Sequence, residues 1–76
     1  MEIKVLGTGC SNCRALYDAT CKAVEELGLN ATVVKEEDIT HILAYNVMRL
    51  PALVVDEKVV SAGRKLSVSE VKELLA

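Results

Sequence analysis

A Cys-Ser-Asn-Cys sequence at positions 10–13 separates two segments with different hydrophobic patterns. Residues 2–6 before it are typical of a short β-strand, whereas residues 12–27 after it carry apolar side chains at the spacing of one helix face. The sequence Gly-Thr-Gly at positions 7–9 predicts a flexible turn between them. Two thiols at the start of a helix can close a disulfide ring and reopen it, and the helix N-terminus favours the reactive thiolate. The sequence therefore predicts a strand-turn-helix unit that carries an exposed dithiol.

The length and composition of the chain favour one small domain. Its 76 residues are enough for a single domain spanning residues 1–76, which buries roughly 60% of the surface of the unfolded chain. Half of the residues are apolar, but the aromatic residues are only two Tyr, which makes stacking on nucleic acid bases unexpected. The net charge of −2 gives no general attraction for phosphate backbones or anionic membranes. We therefore expect neither a nucleic acid nor a membrane as a partner.

The cysteine usage indicates a cytoplasmic protein. Three cysteines do not form the even framework that is typical of a secreted disulfide scaffold. No apolar stretch approaches the roughly 20 residues that span a bilayer, and the first five residues are typical of a strand rather than of a secretion signal. We expect a monomer in a reducing compartment, where a close cysteine pair is catalytic or metal-binding.

The hydrophobic patterns and turn residues predict seven elements in the order βαβαββα. Strands are predicted at residues 2–6, 30–35, 51–55 and 58–61, and helices at residues 12–27, at 39–45 after an N-cap at Asp38, and after the capping-box pattern Ser67–Glu70. We expect Asn46 to end the second helix in a left-handed conformation, and Val71, Leu74 and Leu75 to face inward from the third. Right-handed crossovers then give an α/β fold, with a four-stranded mixed sheet and three helices on its two faces.

The position of the two thiols suggests a role for each of them. Cys10 lies at the helix start and is the expected attacking thiol, whereas Cys13 lies one turn further in and is the expected resolving thiol. We expect Ser11, Asn12 and Arg14 to tune the pair, Arg14 through its positive charge. The spacing alone also fits two buried cysteines or a zinc, copper or iron–sulfur site, so other parts of the chain have to decide.

The Leu50-Pro51 sequence supplies that context, since it opens the third predicted strand. Cysteines on the first helix together with such a proline resemble the thioredoxin superfamily, and the whole chain resembles its small archaeal and bacterial redox-active disulfide proteins. The stretches that carry this resemblance are residues 4–13, 47–56 and 59–63. The resemblance implies a minimal thioredoxin fold, a cis peptide bond before Pro51, and a substrate-binding loop formed by Arg49, Leu50 and Pro51. It also implies a dithiol–disulfide oxidoreductase or electron carrier that uses no metal or organic cofactor.

The same resemblance implies two kinds of partner, which are proteins with a disulfide to be reduced and a source of electrons. The second is a thioredoxin-reductase-like enzyme or another thiol reductant. Gly9 stands where typical thioredoxins have Trp, Ser-Asn replaces Gly-Pro between the cysteines, and the first strand has no acidic residue after Glu2. Proton handling is therefore expected to differ from theirs. The glutathione-binding sequences of typical glutaredoxins are absent as such, which leaves the reductant open.

A soft-metal-binding module or chaperone is the alternative function for the same cysteine pair. Small heavy-metal-associated domains run strand, helix, strand, strand, helix, strand, which differs from the order predicted here. We expect His41 to be a solvated surface residue, residues 36–38 to form an acidic turn, and Cys21 to be a passive, partly buried thiol. Cys21 lies about 16 Å along the helix axis from Cys10 at roughly 1.5 Å per residue, which is too far to reach the pair.

Four further side chains are assigned positions around the expected site. Tyr17 lies one turn after Cys13 and is expected to line the groove near the thiols, whereas Tyr45 is expected to pack under the loop before Pro51. Arg64 and Lys65 are expected to border the same end of the sheet and to contribute to a basic rim.

Overall fold

Strands and helices alternate along the chain in a computed structural model that describes residues 1–9 and 11–76. In this part of the chain the elements are β1 (Glu2–Leu6), α1 (Ser11–Leu27), β2 (Thr32–Glu36), α2 (Ile39–Leu43), β3 (Ala52–Val55), β4 (Lys58–Ala62) and α3 (Val68–Leu75). The predicted order βαβαββα and the α/β class with a mixed sheet are confirmed. None of the helices within the described residues is long and apolar enough to cross a membrane.

The sheet places β1 at its centre, in the order β2-β1-β3-β4. β1 runs parallel to β2 and antiparallel to β3, and β3 pairs with β4 as an antiparallel hairpin. Leu6 is opposite Glu36 on one side and opposite Ala52 on the other. Because of this register, the segments after Leu6, after Glu36 and before Ala52 meet at one edge of the sheet.

Each face of the sheet is covered by helix, as the sequence predicts. Ile3 and Val5 of β1 point to the same side and pack with α1 and α3, in the larger core cluster that also holds Leu16, Leu53 and Val71. On the opposite side, Leu6, Ala52 and Val54 pack with Ile42 of α2. This alternation of neighbouring side chains is the period-two pattern of a strand that is buried on both faces.

Some predicted boundaries shift because strand pairing sets them. β2 begins at Thr32 and ends at Glu36, instead of spanning residues 30–35, since Thr32 pairs with the first residue of β1, Glu2. β3 begins at Ala52 rather than at Pro51, because proline has no N–H to donate to a ladder. Asn46 has the predicted left-handed conformation, with a φ of 58°, but α2 ends at Leu43 and not at residue 45.

The prediction that Leu74 of α3 faces the core is wrong. Val71 and Leu75 are buried, but Leu74 is 42% exposed. Residues four apart share one face of a helix, so Val71 and Leu75 face the core together while Leu74 faces the hollow between α3 and β4. The capping box at Ser67 and Glu70 is confirmed. Hydrogen bonds from Ser67 hold the pKa of the Glu70 carboxyl below its usual value.

Candidate dithiol site

Cys13 lies in the first turn of α1, where the loop after β1 enters the helix. Its side chain is buried, with 6% of its surface exposed, whereas Ser11 and Asn12 are exposed. Cys10, the expected attacking thiol, lies outside the described residues. The helix N-terminus favours negative charge, so the position of Cys13 suits a thiol that has to form a thiolate.

The Cys13 side chain packs directly against the backbone of Gly7. A Cβ atom at Gly7 would lie 2.8 Å from the Cβ of Cys13 and would overlap its Sγ atom. The Gly7 N–H donates to the Glu36 carbonyl at 3.0 Å, which fixes the start of the loop against the end of β2. Gly7 therefore sets the position of the Cys13 thiol. The sequence predicts Gly7 only as part of a flexible turn. The one signal for its contact with Cys13 is that it is a glycine directly after a buried strand.

A pocket of about 170 Å³ opens beside Cys13. Its floor includes Val5 and Gly7, and its charged walls are Arg14 on α1, Lys35 on β2 and Glu37 just beyond β2. Two cationic side chains and one carboxylate give these walls a net charge of +1. Positive charge beside a thiol favours its thiolate form, whereas burial of the thiol opposes it.

Lys35 and Glu37 reach this pocket through the pairing of β1 with β2. Lys35 is opposite Val5 in the parallel register, and its ammonium group lies 4.7 Å from the centre of the Tyr17 ring. Gly9 has a φ of +88°, and a Cβ there would lie 3.2 Å from Oε2 of Glu37. The absence of a side chain at Gly9 thus lets this carboxylate approach the loop immediately before the cysteine pair. Of these three charged residues, the sequence predicts only Arg14 as part of the site.

The loop before β3 lies at the same edge of the sheet. The Leu50–Pro51 peptide bond is cis, Pro51 is buried and Leu50 is half-buried, while Arg49 is exposed. A Cβ at Gly63 would lie 2.8 Å from the Cβ of Arg49, and the Gly63 N–H donates to the Pro51 carbonyl at 2.9 Å. Gly63 therefore supports the segment from Arg49 to Pro51 by close contact and by a hydrogen bond.

Tyr45 anchors the beginning of this loop on the other face of the sheet. Its ring packs with Val47 and Leu50 against the smaller core cluster, as expected. Its hydroxyl accepts a hydrogen bond from Lys4 Nζ at 2.8 Å and donates to Glu57 Oε2 at 3.1 Å. Hydrogen bonds to Tyr45 and Glu57 raise the pKa of the Lys4 ammonium group above its ordinary value. The network ties the loop to β1 and to the turn between β3 and β4.

Tyr17 is not among the described residues that line the Cys13 pocket, although the ammonium group of Lys35, which does line it, lies over the Tyr17 ring. Tyr17 packs beside the larger core cluster, and a hydrogen bond with the Cys21 thiol raises the pKa of its hydroxyl group. Cys21 is half-buried, and Arg64 pairs with Glu70 at 3.0 Å. Asp38 caps α2 by accepting from the Thr40 N–H at 2.9 Å.

His41 is an exposed residue, and its Nδ1 atom lies 3.2 Å from Glu36 Oε2. Within residues 1–9 and 11–76, no group of three or more His, Cys, Asp and Glu side chains is arranged to hold a metal ion.

Comparison with known sequences gives the family of the chain. A family model described as "Thioredoxin domain" matches residues 1–76. The chain belongs to the thioredoxin domain family. It is 38% identical to a protein named thioredoxin from Methanothermobacter thermautotrophicus over 76 residues, which are 100% of this chain and 99% of that protein. It is also 41% identical to a thioredoxin from Methanocaldococcus jannaschii over 73 residues, covering 96% of this chain and 84% of that protein. These relatives support a thioredoxin-like redox function for this thioredoxin domain.

Proposed function

We propose that this thioredoxin domain is a dithiol–disulfide oxidoreductase that reduces protein disulfides through Cys10 and Cys13. The observation that carries the proposal is the placement of Cys13. Its thiol is buried in the first turn of α1, rests on Gly7 and borders a pocket with cationic walls. A cysteine whose only role is to fill the core does not require a pocket with charged walls beside its thiol. The similarity to two archaeal thioredoxins over nearly the whole chain supports the same chemistry.

The proposed reaction has two exchange steps. The Cys10 thiolate attacks one sulfur of the substrate disulfide, forming a mixed disulfide and releasing the other substrate sulfur as a thiolate, which takes up a proton. The Cys13 thiol then loses its proton and attacks Cys10 Sγ. The mixed disulfide breaks, the second substrate sulfur leaves as a thiolate that is protonated, and a Cys10–Cys13 disulfide forms. Two electrons and two protons have passed to the substrate, whose disulfide is reduced.

The loop of Arg49, Leu50 and Pro51 is the proposed docking site for the substrate backbone. It is supported by Gly63 and lies at the edge of the sheet from which the cysteine-bearing helix starts. The substrate is a disulfide-containing protein, and a thioredoxin-reductase-like enzyme or another thiol reductant regenerates the dithiol. Ser11, Asn12 and Arg14 are proposed to tune the thiols from the surrounding rim. We propose that the protein acts as a monomer. We also propose that it acts in the cytoplasm, because a dithiol that donates electrons needs a reducing compartment.

Intact mass of the purified protein, measured with and without thiol alkylation, tests this proposal. After treatment with a mild oxidant, we expect the mass to fall by two hydrogen atoms, and we expect a dithiol reductant to restore it. Alkylation should label Cys10 and Cys13 only in the reduced form and Cys21 in both forms under denaturing conditions. A pair that stays reduced under oxidant and carries one bound metal ion per chain would instead support the soft-metal-binding alternative.

A further inference from the structure

We infer that Arg49 selects substrates that carry a carboxylate close to the disulfide to be reduced. This inference rests on the proposed function and names the class of substrate that the docking loop of Arg49, Leu50 and Pro51 favours. The observations that carry it are the support of the Arg49 side chain by Gly63, the exposure of Arg49, and the distribution of charge along this edge of the sheet.

Gly63 supports the stem of the Arg49 side chain. A Cβ atom at Gly63 would lie 2.8 Å from Cβ and 3.0 Å from Cδ of Arg49, so the aliphatic stem lies directly over the glycine. The same glycine donates its N–H to the Pro51 carbonyl at 2.9 Å. A stem that is already packed loses less side-chain entropy when its charged end binds a partner. The contact therefore restricts the positions from which the guanidinium group of Arg49 meets a substrate.

The guanidinium group of Arg49 forms no ion pair with another residue in the part of the chain that the structure describes. Arg64, which follows β4, is by contrast paired with Glu70 at 3.0 Å. A guanidinium group presents a planar fork of N–H donors that matches a carboxylate through two parallel hydrogen bonds. An acidic side chain of a docked substrate is therefore the partner that fits Arg49 chemically.

Charge is unevenly distributed along the edge of the sheet at which α1 starts. The Glu-Glu-Asp sequence at positions 36–38 lies at the end of β2, whereas Arg49 precedes β3, and β1 lies between these two strands. Because neighbouring strands are about 4.8 Å apart, β2 and β3 are separated by about 10 Å. A carboxylate at the docking loop is therefore close to Arg49 and on the side of β1 away from the acidic segment. The net charge of the chain is −2, so a preference for acidic substrates has to come from this local arrangement.

The position of Arg49 in the loop indicates where the substrate carboxylate lies. Arg49 is two residues before Pro51, and side chains two residues apart on an extended segment point to the same side. A substrate that lies extended along the loop with its cysteine beside Pro51 therefore brings a residue about two positions from that cysteine to Arg49.

Fluorogenic peptide disulfides measure this selectivity directly. Each probe is an otherwise uncharged peptide whose single cysteine is linked by a disulfide to a quencher, so fluorescence rises when the disulfide is reduced. The residue two positions from the cysteine is Glu, Gln or Lys, placed before the cysteine in one set of peptides and after it in the other. The rate constant with the reduced protein is divided by the rate constant with dithiothreitol, which corrects for the intrinsic reactivity of each disulfide.

We expect the original protein to reduce the Glu peptide about threefold faster than the Gln peptide in at least one set, and the Lys peptide more slowly than both. This is the size expected of one exposed ion pair, which changes an equilibrium by less than about fivefold. Arg49→Gln should bring the ratio of the Glu rate to the Gln rate to about one, Arg49→Glu should invert it, and Arg49→Lys should keep part of it. At about 1 M salt, where the Debye length is about 3 Å, the ratio should approach one.

Arg64→Gln is the matched control, because this guanidinium group follows β4 at the same edge of the sheet but is already paired with Glu70. It should leave the ratio unchanged. Since each variant is judged by the ratio between two peptides, a general loss of activity does not affect the result. A ratio near one in the original protein, or a raised ratio that survives Arg49→Gln, would overturn the inference while leaving the proposed function standing. Failure to reduce any of the peptides would instead overturn the proposed function.

Discussion

Replacing Cys10 with Ser is expected to abolish disulfide reduction, whereas replacing Cys13 with Ser is expected to trap the substrate on the protein. In Cys10→Ser the attacking thiolate is gone, and a serine hydroxyl is far too weakly acidic to take its place, so the activity should fall by several orders of magnitude. In Cys13→Ser the first step still occurs and a mixed disulfide forms on Cys10. The second step has no thiol to complete it, so this adduct should accumulate.

The activity of each variant can be measured as reduction of insulin disulfides, and the adduct can be identified by non-reducing electrophoresis and intact mass. Cys21→Ser is the matched control, because it removes a thiol from the same helix without touching the pair, and it should retain full activity. Equal activity in Cys10→Ser and Cys13→Ser would contradict the assignment of attacker and resolver. Trapping by Cys10→Ser instead would reverse the two roles.

Replacing Gly7 with Ala is expected to weaken both the fold and the resolving step. The added methyl group would lie 2.8 Å from Cys13 Cβ and would overlap its Sγ, so either the thiol or the start of α1 must move. Overpacking of this kind costs about 1–3 kcal/mol, and each kcal/mol lowers the melting temperature of a small domain by roughly 4–8 °C. A displaced thiol also resolves mixed disulfides more slowly, so adducts with substrate should persist.

Gly28→Ala is the matched control for this substitution. Gly28 has a φ of +65° and nothing within 4 Å of an added Cβ, so alanine there strains the backbone without touching the thiols. That strain costs about 1–2 kcal/mol. Thermal unfolding should therefore show losses in both variants, whereas only Gly7→Ala should make mixed disulfides with the substrate persist, as seen by intact mass. If Gly7→Ala keeps the unfolding temperature and exchange kinetics of the original protein, the conclusion that Gly7 sets the position of the Cys13 thiol is wrong.

The elements of this fold follow from local patterns that the sequence displays directly. β1 and α1 differ in the period of their apolar residues, and Ser67 with Glu70 marks the start of α3 through capping chemistry that involves only neighbouring residues. The order βαβαββα could therefore be predicted. The extent of β2 could not, because it depends on which residue of β1 each residue of β2 pairs with.

The parts of the site that sequence reasoning missed depend on distances between segments far apart in the chain. Lys35 and Glu37 come to Cys13 only because β1 and β2 pair in parallel with Val5 opposite Lys35. Gly7 contacts the Cys13 thiol only because α1 turns back against the end of β1. The sequence predicts that Leu74 faces inward, but the packing partner of α3 decides which of its faces is buried.

A single-turnover reaction tests most directly whether Cys10 and Cys13 form a dithiol that donates electrons to protein disulfides. The fully reduced protein is freed of reductant, mixed with excess insulin, quenched with an alkylating agent and mapped by peptide mass. We predict that one insulin disulfide is reduced per chain and that Cys10 and Cys13 become linked to each other, while Cys21 is alkylated. Unchanged insulin with all three thiols alkylated, or a disulfide that involves Cys21, would contradict the account.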